Sequence, residues 1–218
     1  MKTTVYIVMK EKYPVSGFTR DKEAIYVNGI RIFVPAEYDN FKATIPKKRH
    51  KALFELSTIT GMRYAEIQRL YNHPEWYSES RNQIRLNEEA QKKAKRKAKE
   101  RTIDLLPSTL PYILDQFLNE PSPPDIDTWN QNLKRWAIKA DFNPFGISAK
   151  TTRKSIESWM LAAGVPPFKV YQRQGHDPET SLYHYQGLSF MDHEMDQIKK
   201  RLMEWGILRN DNTKTIHD

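Results

Sequence analysis

Residues 150–165 read KTTRKSIESWMLAAGV, and this stretch decides the reading of the chain. Ser148 is placed to cap a helix that runs to Ala163, with Gly164 just beyond its end. Lys150 and Arg153, three residues apart, then share one face of that helix. Upstream, Thr60-Gly61-Met62-Arg63-Tyr64-Ala65-Glu66 puts a further arginine on the first turn of another helix. Downstream, RQGHDPETSLYHYQ (173–186) carries Gly175-His176, and Tyr185 follows His176 by nine residues. Two arginines, a lysine, a histidine and a tyrosine thus come in a fixed order along one chain.

Composition bounds what these residues can do. The 218 residues carry 35 Lys plus Arg against 27 Asp plus Glu, a charge of +8. Seven basic residues and one acid fall within 92–101, so the rest of the chain is nearly balanced. Nucleic acid is the expected partner of such a charge distribution. Cysteine is absent, which excludes disulfides and thiolate zinc sites. His50, His73 and His217 show no metal-ligand spacing, and no metal or cofactor is assigned. Mean hydropathy is −0.76, and no stretch approaches the roughly 20 apolar residues that span a bilayer. The first residues, MKTTVYIVMKEKYP, lack the apolar length and cleavage site of a secretory signal.

The pattern predicts a mainly α fold with a small antiparallel β-sheet (α+β). Thr3–Met9 reads as a strand, and AIYVNGIRIFVP (24–35) as a hairpin turning at Asn28-Gly29. Helices are expected through Leu53–Leu56, Ala65–Leu70, Tyr112–Leu118, Trp129–Ile138, from Pro166-Pro167, and over Met191–Leu208. Trp129 and Trp136, seven apart, read as core packing. Gln83–Leu86 and Thr102–Leu106 read as strands joined by a basic hairpin tip, and EPSPPD (120–125) as a stiff connector.

The three motifs TGMRYAE, KTTRKSIESWMLAAGV and RQGHDPETSLYHYQ together resemble the catalytic domain of tyrosine recombinases (phage-type integrases), over roughly residues 47–205. The Arg153-Lys154 pair and the ending LYHYQG look closest to archaeal and archaeal-virus integrases. The resemblance implies a site-specific recombinase or integrase that cuts and rejoins DNA through a 3′-phosphotyrosyl link, without metal or ATP. Tyr185 would be the nucleophile. Arg63 and Arg153 would donate to the non-bridging oxygens of the phosphate, whose charge grows in the transition state, and His176 would donate to the same oxygens or help hold the tyrosine and its proton. Lys150 stands where most members have histidine, so its role would be electrostatic rather than proton-shuttling. A hairpin lysine would protonate the leaving 5′-oxygen. Counting back from the second strand favours Lys97 or Lys95, and counting forward from the first favours Lys92. Lys97 is preferred, and Lys93, Arg96, Lys99 and Lys154 are read as DNA-binding cations. Spacing from His176 favours Tyr185 over Tyr183 as nucleophile.

The expected partners are double-stranded DNA and further copies of the chain in a tetramer, with the Met191–Leu208 helix docking on a neighbour or on its own domain. The expected location is on DNA in the cytoplasm of a prokaryotic cell or virus-infected host, with no membrane association. Residues 1–45 form an N-terminal β-rich extension and 46–218 the catalytic domain with its C-terminal helix. Family members usually carry an N-terminal helical domain that clamps DNA, so the chain reads as a minimal recombinase or a piece of a longer one. A lone catalytic domain binds DNA more weakly, because fewer phosphates are neutralised. A type IB topoisomerase-like enzyme, a non-catalytic DNA-binding protein of the same fold and a helix-turn-helix repressor are the rival readings.

Overall fold

Asn28 and Gly29 both adopt positive φ (50° and 72°), and they close a hairpin between β1 (Ile25–Val27) and β2 (Ile30–Ile32). The chain is described by a computed structural model over residues 24–87, 100–104, 106–175 and 190–208. The strand expected at Thr3–Met9 and the hairpin tip lie outside the described residues. After the hairpin come α1 (Pro35–Thr44), α2 (Lys48–Thr60) and α3 (Tyr64–Asn72). A second sheet, of order β3-β4-β5, is antiparallel throughout: β3 (Tyr77–Ser78), β4 (Gln83–Leu86) and β5 (Arg101–Ile103). The remaining helices are α4 (Leu110–Leu118), α5 (Ile126–Lys139), α6 (Ala149–Ala162), α7 (Pro167–Gln174) and α8 (Asp192–Glu204). The fold is therefore mainly helical with small antiparallel sheets.

α2 and α6 form the centre. α2 buries Leu53, Phe54, Leu56 and Ile59, and its buried hydroxyls donate back to carbonyls one turn earlier. Ser57 donates to Leu53 O (2.6 Å), Thr58 to Phe54 O (2.9 Å) and Thr60 to Leu56 O (2.6 Å), so polar side chains sit in the core without loss of hydrogen bonds. α6 buries Ile156, Trp159 and Met160. Full burial of such side chains contributes roughly 1.5–3 kcal/mol each.

The stretch after the hairpin differs from the strand reading. Pro35 sits at the first position of α1, and Tyr38 and Phe41, three apart, pack on Phe54 with ring centroids 5.2 and 5.1 Å away. This helical period places α1 in the same core as α2 and α6. Phe33 locks the hairpin to α6 through its backbone: its N–H donates to Ser155 Oγ (2.9 Å), and its carbonyl accepts from Trp159 Nε1 (2.8 Å).

α8 packs on its own chain. Ile198 and Leu202 are buried, and Arg201 makes a two-point ion pair with Asp39 on α1 (3.1 and 2.7 Å). On α5, Trp129 and Trp136 are buried edge to face at 5.4 Å, in agreement with their reading as core. The proline-rich connector fixes the start of α3, because Pro124 O accepts from Tyr64 Oη (2.8 Å) and Gln68 Nε2 (3.1 Å). No helix among the described residues is long and apolar enough to cross a membrane.

Candidate active site

Two helices stop at one place, and each stop requires a glycine. α2 ends on Gly61 (φ 62°) and α7 on Gly175 (φ 63°), both in the left-handed conformation, in which the N–H of the glycine turns back to a carbonyl of the last turn. Arg153 collects these ends. One of its terminal nitrogens donates to Gly61 O at 2.6 Å and the other to Gln174 O. The α6 turn that carries Arg153 is itself held at its N-terminus. Ser148 accepts from the Lys150 N–H, and Asn130 of α5 accepts from the Ala149 N–H at 2.9 Å.

Arg63 lies beside this junction, at the N-cap of α3 rather than on its first turn. Its N–H donates to Glu66 Oε2 (2.7 Å), one Nη to Glu66 Oε1 (2.8 Å) and the other Nη to Gly175 O (3.1 Å). Its side chain keeps 33% exposure, whereas Arg153 is only 7% exposed. The sequence motifs therefore converge in space: Arg63, Arg153 and Gly175, the residue before His176, meet at one point.

Sequence reasoning gave no role to the residues that support this pair. Glu66 is buried and receives a two-point ion pair from Arg101 of β5 (3.0 and 2.7 Å). Burial pushes its carboxyl pKa up, but the hydrogen bonds and charge of Arg101, with those of Arg63, outweigh this and hold it at about 2. Arg101 also donates through Nε to Arg173 O (3.1 Å). Arg173, buried in turn, donates to Ile59 O (2.7 Å) and to Asp104 O, and its burial lowers its own pKa to about 10. The carboxamide of Gln174 is fully buried against Gly61, and among the described residues neither its nitrogen nor its oxygen has a hydrogen-bond partner.

Arg63 and Arg101 thus grip Glu66, and Arg153 lies close enough to feel their charges, that of Glu66 and that of the buried Glu157. Arg153 registers this: burial first, then the like charges of Arg63 and Arg101, pull its pKa down to about 9. A site with an excess of fixed cations, held mostly by neutral carbonyls, is suited to an anion such as a phosphodiester.

Lys150 is exposed on the first turn of α6, one helical turn before Arg153. Lys154, read from the sequence as a DNA-binding cation, is half-buried and paired with the buried Glu157 at 3.6 Å; burial lowers its pKa against the pull of that carboxylate. It lies about 100° around the helix from Arg153, which turns it toward a different neighbour. His176, Tyr183, Tyr185, Lys92, Lys93, Lys95, Arg96, Lys97 and Lys99 lie outside the described residues. A cleft of about 350 Å³ lies elsewhere, between the start of α2 and residues 121–124, and none of the site's arginines lines it.

No protein-family model matches the chain, and no curated protein sequence matches it. Among solved structures, the fold is similar to that of the Tn1549 transposon integrase in complex with transposon right-end DNA. The TM-score is 0.57 at 13% sequence identity, over 79% of this chain and 65% of that one. The chain spans about two thirds of the length of the solved chain it matches. At this identity the likeness concerns the fold alone.

Proposed function

We propose that this chain cuts and rejoins DNA strands as a tyrosine recombinase. The observation that carries the reading is the meeting of Arg63 and Arg153 with Gly175 at the joined ends of α2 and α7, on an integrase fold. In the proposed reaction the Tyr185 hydroxyl gives up its proton, to His176 or to solvent, its oxygen attacks a backbone phosphorus and the bond to the 5′-oxygen breaks. The products are a 3′-phosphotyrosine and a 5′-hydroxyl. Arg63 and Arg153 take up the charge that grows on the non-bridging oxygens, with His176 as a further donor and Lys150 adding positive potential. Lys97, or Lys95 or Lys92 in its place, delivers the proton to the leaving oxygen. Bond energy is kept in the phosphotyrosyl link, so religation needs no ATP.

Two features of the protein bear on its biological setting. The Arg153-Lys154 pair and LYHYQG (182–187) support the narrower reading of an archaeal or archaeal-virus integrase. Assembly into a tetramer on DNA would have to accommodate α8 as it docks here, on α1 and α6 of its own chain.

The test is incubation with a nicked suicide duplex in EDTA, followed by denaturing gel electrophoresis. Wild type is expected to give an SDS-stable protein–DNA adduct that Tyr185→Phe does not give and Tyr183→Phe does. Failure of wild type to form any adduct overturns the proposal. An adduct that survives in Tyr185→Phe but not in Tyr183→Phe moves the nucleophile.

A further inference from the structure

Arg101 is the one residue whose side chain ties β5 both to the start of α3 and to the end of α7 among the hydrogen bonds described above. It opens the strand that follows the basic hairpin tip, and its side chain is 3% exposed. Its two terminal nitrogens grip Glu66, and its Nε holds the carbonyl of Arg173, two residues before Gly175. Gly175 makes room for it, since a Cβ there would fall 2.9 Å from Arg101 Cδ. Glu66 in turn holds both the backbone N–H and one guanidinium nitrogen of Arg63.

We propose that Arg101 is a positioning residue for Arg63: acting through Glu66, it fixes the guanidinium that meets the phosphate and registers the hairpin strand against the Gly175 end of α7. The proposal rests on the strand-cleavage reading above and extends it to a residue that touches no substrate.

Two physical points favour this over a purely structural ion pair. A buried ion pair contributes little net stability compared with an apolar pair of the same volume, so stability alone does not explain it. Charge division gives the better account. With one guanidinium, Glu66 would neutralise Arg63; with two, its charge is shared and Arg63 keeps a positive excess for an anion. Among the described residues the charged groups around Glu66 are Arg63 from α3, Arg101 from β5 and Arg153 from α6. Without Arg101, two of the causes that lower the Glu66 pKa are lost, so burial, the largest cause, raises it.

The experiment compares the full chain as wild type, Arg101→Met, Arg101→Lys and the double variant Arg101→Met/Glu66→Gln. Single-turnover adduct formation is followed from pH 5 to 8, with DNA affinity by anisotropy and the Glu66 carboxyl titrated by carbon-13 NMR. Arg101→Met is expected to cut about 100-fold more slowly, as a misplaced group does, with affinity changed far less. It should also gain a fall in rate toward low pH as Glu66 protonates, and the double variant should lose that fall. Cutting by Arg101→Met at the wild-type rate and with the wild-type pH profile overturns the proposal. Should Arg101→Met not fold, Arg101→Lys carries the same test: it keeps the charge but not the two-point grip, and unchanged cutting overturns the proposal. Should wild type form no adduct, the cleavage reading falls and the NMR titration decides on Arg101 alone. A Glu66 midpoint that rises in Arg101→Lys supports the positioning role, and an unchanged one overturns it.

Discussion

Glu66→Gln converts the buried charge network into a measurable dependence of stability on pH. Glu66 is 2% exposed, and its carboxyl is held at about 2 in the fold against 4.5 ordinarily. At neutral pH that difference stabilises the fold by about 3 kcal/mol, at about 1.4 kcal/mol per tenfold change in proton affinity. The pKa is lowered on folding, so this contribution is complete above about pH 5 and is lost as pH falls toward 2. Between these limits the unfolded chain takes up a proton that the folded one refuses. By pH 3 about 2 kcal/mol of the contribution should be gone. Urea unfolding followed by tryptophan fluorescence at pH 7 and pH 3 measures it. Glu66→Gln should be less stable at pH 7, by about 3 kcal/mol, because the buried Arg101 and the part-exposed Arg63 lose their counter-charge. Its loss of stability from pH 7 to pH 3 should be smaller than that of wild type by about 2 kcal/mol. The other carboxylates titrate in both proteins and cancel in the comparison. Parallel pH dependences in the two proteins would refute the reasoning, since Glu66 would then not be held ionised by Arg101 and Arg63.

Three further outcomes follow from the geometry. Arg153→Lys loses the fork that spans Gly61 O and Gln174 O, and adduct formation should fall by about 100-fold or more; wild-type cutting would count against the site. Gly61→Ala places a methyl group about 3.0 Å from the carboxamide carbon of Gln174 on a left-handed backbone. It should lower stability by about 1–3 kcal/mol in urea unfolding. For the docking of α8, Leu202→Ala should cost about 2–5 kcal/mol, but Asp39→Ala less than about 1 kcal/mol, because Asp39 is half exposed; equal losses would reverse the assignment of what holds the helix.

The arginines of the site were legible because each is announced by its own neighbours. Thr60-Gly61 before Arg63 gives a helix end and a new start, and Ser148 before Arg153 gives a cap. Glu66 stood inside a motif that was read for its arginine. Arg101 was counted as one cation in a run of seven, since nothing local separates a buried arginine from a solvated one. A faint signal existed in the strand period, which places Arg101 on the inward face with Ile103. Lys154 shows the opposite case, a cation read as DNA-binding whose partner Glu157 lies one turn along the same helix. α1 was hidden by its approach: the β-branched hairpin invited a longer strand, while Pro35 and the three-residue spacing of Tyr38 and Phe41 specify a helix. The described core thus follows from periodicity. The second layer of the site depends on contacts between distant parts of the chain, which a local reading does not reach.

The joined ends of α2 and α7 also bear on when the protein acquires its chemistry. The bonds that shape the site span long stretches of chain: Arg153 to Gly61 is 92 residues, Arg63 to Gly175 is 112, and Arg173 to Ile59 is 114. Contacts of such separation form late, because loop closure must precede them. A chain still emerging during synthesis can have α2 and α3 in place and Arg63 paired with Glu66. It still lacks the Gly175 carbonyl and the fork of Arg153. On the proposed reading, partly folded molecules would carry their basic charge before they carry the constellation of Arg63, Arg153 and Gly175. The order of folding would then keep a nascent chain from cutting DNA.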